Sequence, residues 1–367
     1  MTRATDSSRP SPYFVSLPVD FLLIGGGSIL LFLFVLPLFH DGTRTARIVE
    51  VGLWLTWLGN WPHFSATSYR LYGRAEHLRQ YPITAVAAPL IVLVGALACF
   101  LWPTEVSGYF VKLFLFWSPY HYSGQTLGIS LLYGRRAGHR PGSWERSLLS
   151  AFIYGTFLMR TLGAEVGTRG SVYYGVQVPS FGVPAWLAAG FSAGTYACGV
   201  ALFAVVAVRA LRTGKPPPFL YLLLPVTQYV WFVVAGAKPG YAEFVPFFHG
   251  LQYLVIAWAM QIKEQADRSP TSPTLRFLGV ESARWFALNV LGGAALFYAL
   301  PHLVARTGVG LSLATAVILS AVQIHHFFVD GVIWKLRTQS VVSPLLVNIP
   351  DLVEASAAQG ATPHEAR

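Results

Sequence analysis

The chain has 367 residues, of which 54% are hydrophobic and 11% charged, and its mean hydropathy is +0.51. A soluble domain carries roughly a quarter charged residues, so the composition excludes a soluble enzyme, a secreted disulfide scaffold and a nucleic-acid binder, although the net charge is +10. The apolar residues fall in blocks of about 20, the length at which a helix crosses a bilayer. The expected fold class is therefore all-α, a polytopic transmembrane helical bundle.

Residues 1–18 are polar, rich in Pro and Ser and without a cleavage pattern, and read as a cytoplasmic N-terminus with no signal peptide. Apolar windows follow near 19–39, 48–68, 83–103, 109–133, 147–163, 185–210, 218–237, 241–262, 284–304 and 309–336, about ten spans in one domain from 19 to 337. The fifth window is short and carries Arg160, and the seventh and eighth meet at the tight junction Lys238-Pro239-Gly240. Residues 338–367, low in aromatics and rich in Ala, Ser and Pro, read as a mobile cytoplasmic tail. With the N-terminus inside, Lys and Arg on the inner segments outnumber those on the outer segments by about three to one. That bias puts both termini in the cytoplasm, points to the cytoplasmic membrane and explains the basic charge without nucleic acid. Cys99 and Cys198 lie inside windows with no CxxC spacing and read as packing thiols, and Gly25-Gly26-Gly27 reads as a site of close helix contact.

Polar residues inside the windows carry the functional signal, because each is costly in hydrocarbon unless paired or used. Four windows hold interior histidine: His63, His121, His249 and the pair His325-His326. These are the second, fourth, eighth and tenth windows, which run in the same direction, so their histidines are expected to converge at one level in the cytoplasmic half. His40, His77, His139, His302 and His364 lie in loops, at a span end or in the tail and need no special role.

Residues three or four apart share a helix face. Each histidine thus belongs to a polar stripe: Asn60, His63 and Thr67; Ser118, His121 and Gln125; His249, Gln252 and Tyr253; Gln323, His326 and Asp330. His325 is turned about 100° from His326, so the pair is expected to flank a site or divide between its inner and outer shells. Pro62, Pro119 and Pro246 precede three of the histidines and suggest bent helices around a cavity.

One membrane histidine is ordinarily an interhelical hydrogen-bond partner; four like-oriented stripes point to a shared site. Imidazole is the commonest ligand of iron, copper and zinc, which makes His63, His121, His249, His325 and His326 the expected metal ligands. Asp330 is expected as a ligand or as a group that orients one, with Gln125, Gln252 and Tyr253 hydrogen-bonding or moving protons beside it. An iron or copper centre implies an oxygen-dependent oxidoreductase of the hydroxylase, desaturase or oxidase type, acting on a lipid or isoprenoid among the membrane lipids and served by an electron-donor protein. Iron is the first expectation. Zinc would imply a lipid hydrolase, two facing histidines would serve a b-type haem, and the same histidines with Asp330 would serve a proton-coupled transporter. In ligand type alone the set is similar to the histidine-rich membrane hydroxylases and desaturases. Their HxxxH and HxxHH spacings are absent, so no ligand assignment carries over. Glu243, two turns before His249, is a further acidic candidate near an outer end.

Overall fold

The computed structural model describes residues 11–39, 45–238, 240–269, 273–334 and 344–353. Outside them lie residues 1–10, 338–343 and 354–367 of the two expected end segments, together with His40, Pro239, Lys335, Arg337 and His364.

The described residues are mostly helical, and a helix stands at each apolar window. In order these are α1 (Leu17–Phe39), α2 (Thr45–Thr56), α3 (Asn60–Tyr72), the short α4 (Ala75–Gln80), α5 (Pro82–Leu101), α6 (Ser107–Arg136) and α7 (Ser143–Ala164). A β-hairpin follows, β1 (Ser171–Tyr173) and β2 (Val176–Val178), and then α8 (Ala185–Thr213). The last long helices are α9 (Phe219–Ala237), α10 (Tyr241–Arg268), α11 (Leu275–Ala305) and α12 (Leu311–Ile333). Seven of these, α1, α5 and α8 to α12, are long and apolar enough to cross a membrane. The molecule is a multi-pass membrane helical bundle.

The other windows fall short for a physical reason. The second is two helices, α2 and α3, separated by a turn at 57–59, and α3 carries Asn60, His63, Ser65 and Thr67 buried in the protein. α6 is 30 residues long but includes His121, Gln125 and several hydroxyl side chains. Pro62 sits in the first turn of α3, and Pro246 in the first α-helical turn of α10, after its opening 3-10 turn Tyr241–Phe244; of the three prolines before histidines only Pro119 is interior to its helix.

α10 and α12 are the most buried spans, whereas α5, α8 and α11 turn most of their apolar surface outward. Exposed Ile83, Val94, Trp186 and Val200 on α5 and α8 suit hydrocarbon contact better than water. α3 packs on α10, α11 and α12, and α6 on α9, α12 and α7. One glycine makes a close crossing possible: a Cβ on Gly250 would overlap the Gly59 backbone, so α10 approaches the start of α3 directly beside His249.

At the end of the bundle where α6 begins, the hairpin turns through Tyr174 and Gly175, both at positive φ (46° and 79°), as a two-residue turn of this hand requires. There Lys112 pairs with Glu165, which also accepts the Phe181 backbone N–H at 2.9 Å. Burial works to raise the Glu165 pKa, but Lys112 and Phe181 outweigh it and hold the carboxyl below the ordinary glutamate range. Its contribution to stability is therefore full above about pH 4.3 and lost as the pH falls through the depressed folded value. The melting temperature of Glu165→Gln should lie below that of wild type near neutrality and converge with it in acid.

The opposite end ties the two ends of the chain together. Asp20, fully buried, accepts N–H bonds from Phe14 and Val15 and the Tyr133 hydroxyl. The Arg136 guanidinium donates to the carbonyls of Ser11, Pro12 and Tyr13 on one side and of Leu345 and Val347 on the other. Residues 344–353 thus depart from the expected mobile tail: Leu345, Val347 and Ile349 are buried in the main core. The apolar side chains of Leu345, Val347 and Ile349 and two carbonyls bound by Arg136 supply the order that composition did not suggest.

Candidate functional site

The four histidine-bearing helices meet. His63, in the first turn of α3, is fully buried, and its ring centroid lies 4.4 Å from that of His326, 4.9 Å from His249 and 6.3 Å from His121. Nε2 of His121 and Nε2 of His326 are 3.1 Å apart. Oδ2 of Asp330 is 3.4 Å from the His326 nitrogen and 3.7 Å from that of His121. One donor atom each from His63, His121, His326 and Asp330 falls within a 4.8 Å span, a group able to hold a metal ion.

Asp330 is aimed by its neighbours. Its Oδ1 is 3.1 Å from the Thr67 hydroxyl and accepts the Trp334 indole N–H at 3.2 Å, leaving Oδ2 for the histidines. The Thr67 hydroxyl is also 2.6 Å from the Tyr253 hydroxyl. Since Thr67 has one proton to donate, a consistent chain has Tyr253 donating to Thr67 and Thr67 to Asp330. Trp334 in turn lies under the Arg70 guanidinium, 5.4 Å from the ring, and Arg70 and Arg74 both bind Glu264. Trp334 is the residue that sequence reading missed here; its place four residues after Asp330, on the same helix face, was the available signal.

The remaining expected residues divide. His249 is fully buried with its ring stacked on Tyr122 at 3.7 Å and its edge toward His63 and His121, adjacent to the four-atom group but not within it. Neither ring nitrogen of His63 or His249, nor Nδ1 of His326, has a hydrogen-bond partner among the described residues. Buried polar atoms are nearly always paired, so these orphan nitrogens are available to a ligand. Gln125 and Gln252 do not reach the imidazole nitrogens. Gln125 donates to the His249 carbonyl at 3.0 Å and to the Gln252 side chain at 3.3 Å, while Gln252 donates to the Ile24 carbonyl. They fix the backbone of α10 and α1 behind the site. His325 is set apart: its Nε2 is 2.8 Å from the Tyr72 hydroxyl on the outer side of α12. Of the adjacent pair only His326 faces inward. Glu243 packs against Gly52 at the start of α10, away from the cluster.

A cavity of about 370 Å³ opens beside the cluster, with His121, Gln125, Tyr253 and Asp330 on its wall and otherwise mostly apolar lining. A second cavity of about 430 Å³ lies toward the hairpin end and reaches Tyr122, the residue stacked on His249.

No protein-family model matches the chain, and comparison with curated proteins and with solved structures gives no match either.

Proposed function

We propose that this is an integral membrane metal-dependent oxidoreductase, of the oxygen-dependent hydroxylase, desaturase or oxidase type, acting on a lipid or isoprenoid, with His63, His121, His326 and Asp330 holding the ion. The single observation that carries the reading is the convergence of those four donors, from three helices, around orphan buried nitrogens. Metal–ligand bonds of about 2.0–2.1 Å put neighbouring tetrahedral donors about 3.4 Å apart. The separations of 3.1, 3.4 and 3.7 Å among His121, His326 and Asp330 bracket that value, and His63 brings a donor within 4.8 Å of all three.

Donor count favours iron over zinc. Three imidazoles and a carboxylate fill a tetrahedron and would leave zinc no open position, whereas catalytic zinc keeps one. A six-coordinate iron with the same ligands keeps two positions free, and nitrogen with carboxylate suits non-haem iron. The edge-to-face pairs, with centroids 4.4 to 5.2 Å apart, sit closer than a porphyrin between two axial histidines permits, and only His63 and His121, at 6.3 Å, are as far apart as that arrangement needs. Bound iron would supply oxygen activation. In a hydroxylation, dioxygen places one atom in a substrate C–H bond, and the other leaves as water with two electrons and two protons from an electron-donor protein. The protein's own part is to hold the ion dry, offset part of its charge with Asp330 and admit a hydrophobic chain. The reading includes a ten-span topology with both termini cytoplasmic in the inner membrane; the meeting of both chain ends on Arg136 and the distribution of Lys and Arg support it.

Elemental analysis and optical or paramagnetic spectra of detergent-purified protein test this. Wild type is expected to carry about one iron per chain, and His121→Ala and His326→Ala less than about a tenth of that, given the usual weight of a ligand. His325→Ala should retain it. Stoichiometric zinc would shift the reading to a lipid hydrolase; a folded, metal-free wild type would sink the metal centre and favour proton-coupled transport through the same residues.

A further inference from the structure

The cavity beside the cluster is long and directional. On α6 its lining recurs every three or four residues, from Trp117 through His121, Gly124 and Gly128 to Leu132, a run of about 22 Å at 1.5 Å per residue. Gly128 on α6 and Gly331 on α12 line it with nothing within 4 Å of a Cβ placed on either, so the missing side chains open the channel rather than relieve a helix contact. Gly331 is exposed, which leaves the groove open sideways between α6 and α12. One end is shut by Leu132 and by Leu345, both buried, the latter on the segment that Arg136 holds down. The other end, at half-exposed Tyr120, is not shut. His121, Asp330, Gln125 and Tyr253 collect at one level between the ends.

We propose that this groove takes a single linear hydrocarbon chain lying parallel to α6. Its apolar terminus rests against Leu132 and Leu345, so the histidine cluster meets the chain about 16 Å from that terminus, eleven helical residues along. The groove is then a ruler that selects which carbon reacts. The inference rests on the histidine cluster being the reaction centre, and it adds the orientation and register of the substrate. A polar head at the open end can pair with the Tyr120 hydroxyl, whereas against Leu132 and Leu345 it would lose its hydration without gaining a partner, which fixes which end enters first.

Photolabelling with hexadecanol tests the register, using one probe with a diazirine at the methyl terminus and another with it next to the hydroxyl. On the full-length detergent-purified protein, the terminal probe is expected to label Ile129, Leu132 or Leu345, and the head-proximal probe Trp117 or Tyr120. Gly128→Leu and Gly331→Leu should each reduce both labels at least tenfold while keeping wild-type metal content and melting temperature. Labelling independent of diazirine position, labelling in the reverse order, or full labelling of both leucine variants would overturn the ruler. The metal assay on the same samples separates the two readings. Labelling in register on metal-free protein would sink the oxidoreductase and leave the groove; metal-replete protein labelled without register would do the reverse.

Discussion

Asp330→Asn is expected to strip the ion from the protein while leaving the fold intact. The substitution keeps the side-chain shape, and the local hydrogen bonds dictate how the amide lies. Thr67 and Trp334 both approach Oδ1, so the amide oxygen takes that place and the NH2 group turns to the position of Oδ2, facing His121 and His326. A positively polarised donor then replaces a negative ligand. Loss of a ligand should weaken iron by more than the roughly 10–100-fold that follows loss of an outer hydrogen-bond partner. The same NH2 group can donate to imidazole nitrogen, so the melting temperature of metal-free Asp330→Asn should equal or exceed that of metal-free wild type. Trp334→Phe removes the indole N–H together with part of the ring beneath Arg70 and should fall in the roughly 10–100-fold range. Chelator competition followed by elemental analysis measures both. Wild-type affinity in Asp330→Asn would show that the carboxylate is no ligand, and would reduce the site to three histidines.

The pattern of these residues was legible in the chain for a simple reason. A helix that must bury His, Thr and Asp in a bilayer puts them on one face, so the 3.6-residue period displays Asn60, His63 and Thr67, or Gln323, His326 and Asp330, before any coordinates exist. Periodicity put His326 on the face of Gln323 and Asp330 and His325 about 100° away, but it could not say whether His325 also reached the site; packing turned it to Tyr72. Nor does it show how far a flexible side chain reaches. Gln125 and Gln252 share faces with histidines yet extend to backbone carbonyls. Pro62 was read as a kink inside one span, whereas the turn at 57–59 makes it the opening of a new helix, a position where proline is equally at home. The buried end segment near Leu345 was hidden by averaging: the apolar run from Leu345 to Val353 was read together with the polar, Ala-rich residues 355–367 that follow it.

Arg136 was counted as one more cytoplasmic charge, and its replacement is expected to have the largest effect on stability of any single change considered. Five carbonyl oxygens from two chain segments accept from its guanidinium, which also lies 4.3 Å over the Phe14 ring. Arg136→Met keeps much of the apolar stem but leaves those carbonyls unpaired in a buried setting and removes the cation nearest to buried Asp20. Breaking a buried charged network by deleting one partner costs about 3–5 kcal/mol. A charge effect alone would be restored by Arg136→Lys. The five acceptors, however, are spread around a planar fork that an ammonium group cannot span, so lysine should recover less than about half of the loss, and the melting temperatures of the two variants should fall together. Limited proteolysis adds a local readout, since cleavage near residues 11–16 and 344–353 should quicken in both variants well below the global melt. Because Leu345 closes the groove beside the histidines, freeing its segment should also blur the register of the terminal photoprobe, linking a clamp at the chain ends to the position at which a substrate is presented. If Arg136→Lys matched wild type in melting, proteolysis and labelling, the clamp would be charge alone and the geometry of the carbonyls would be incidental.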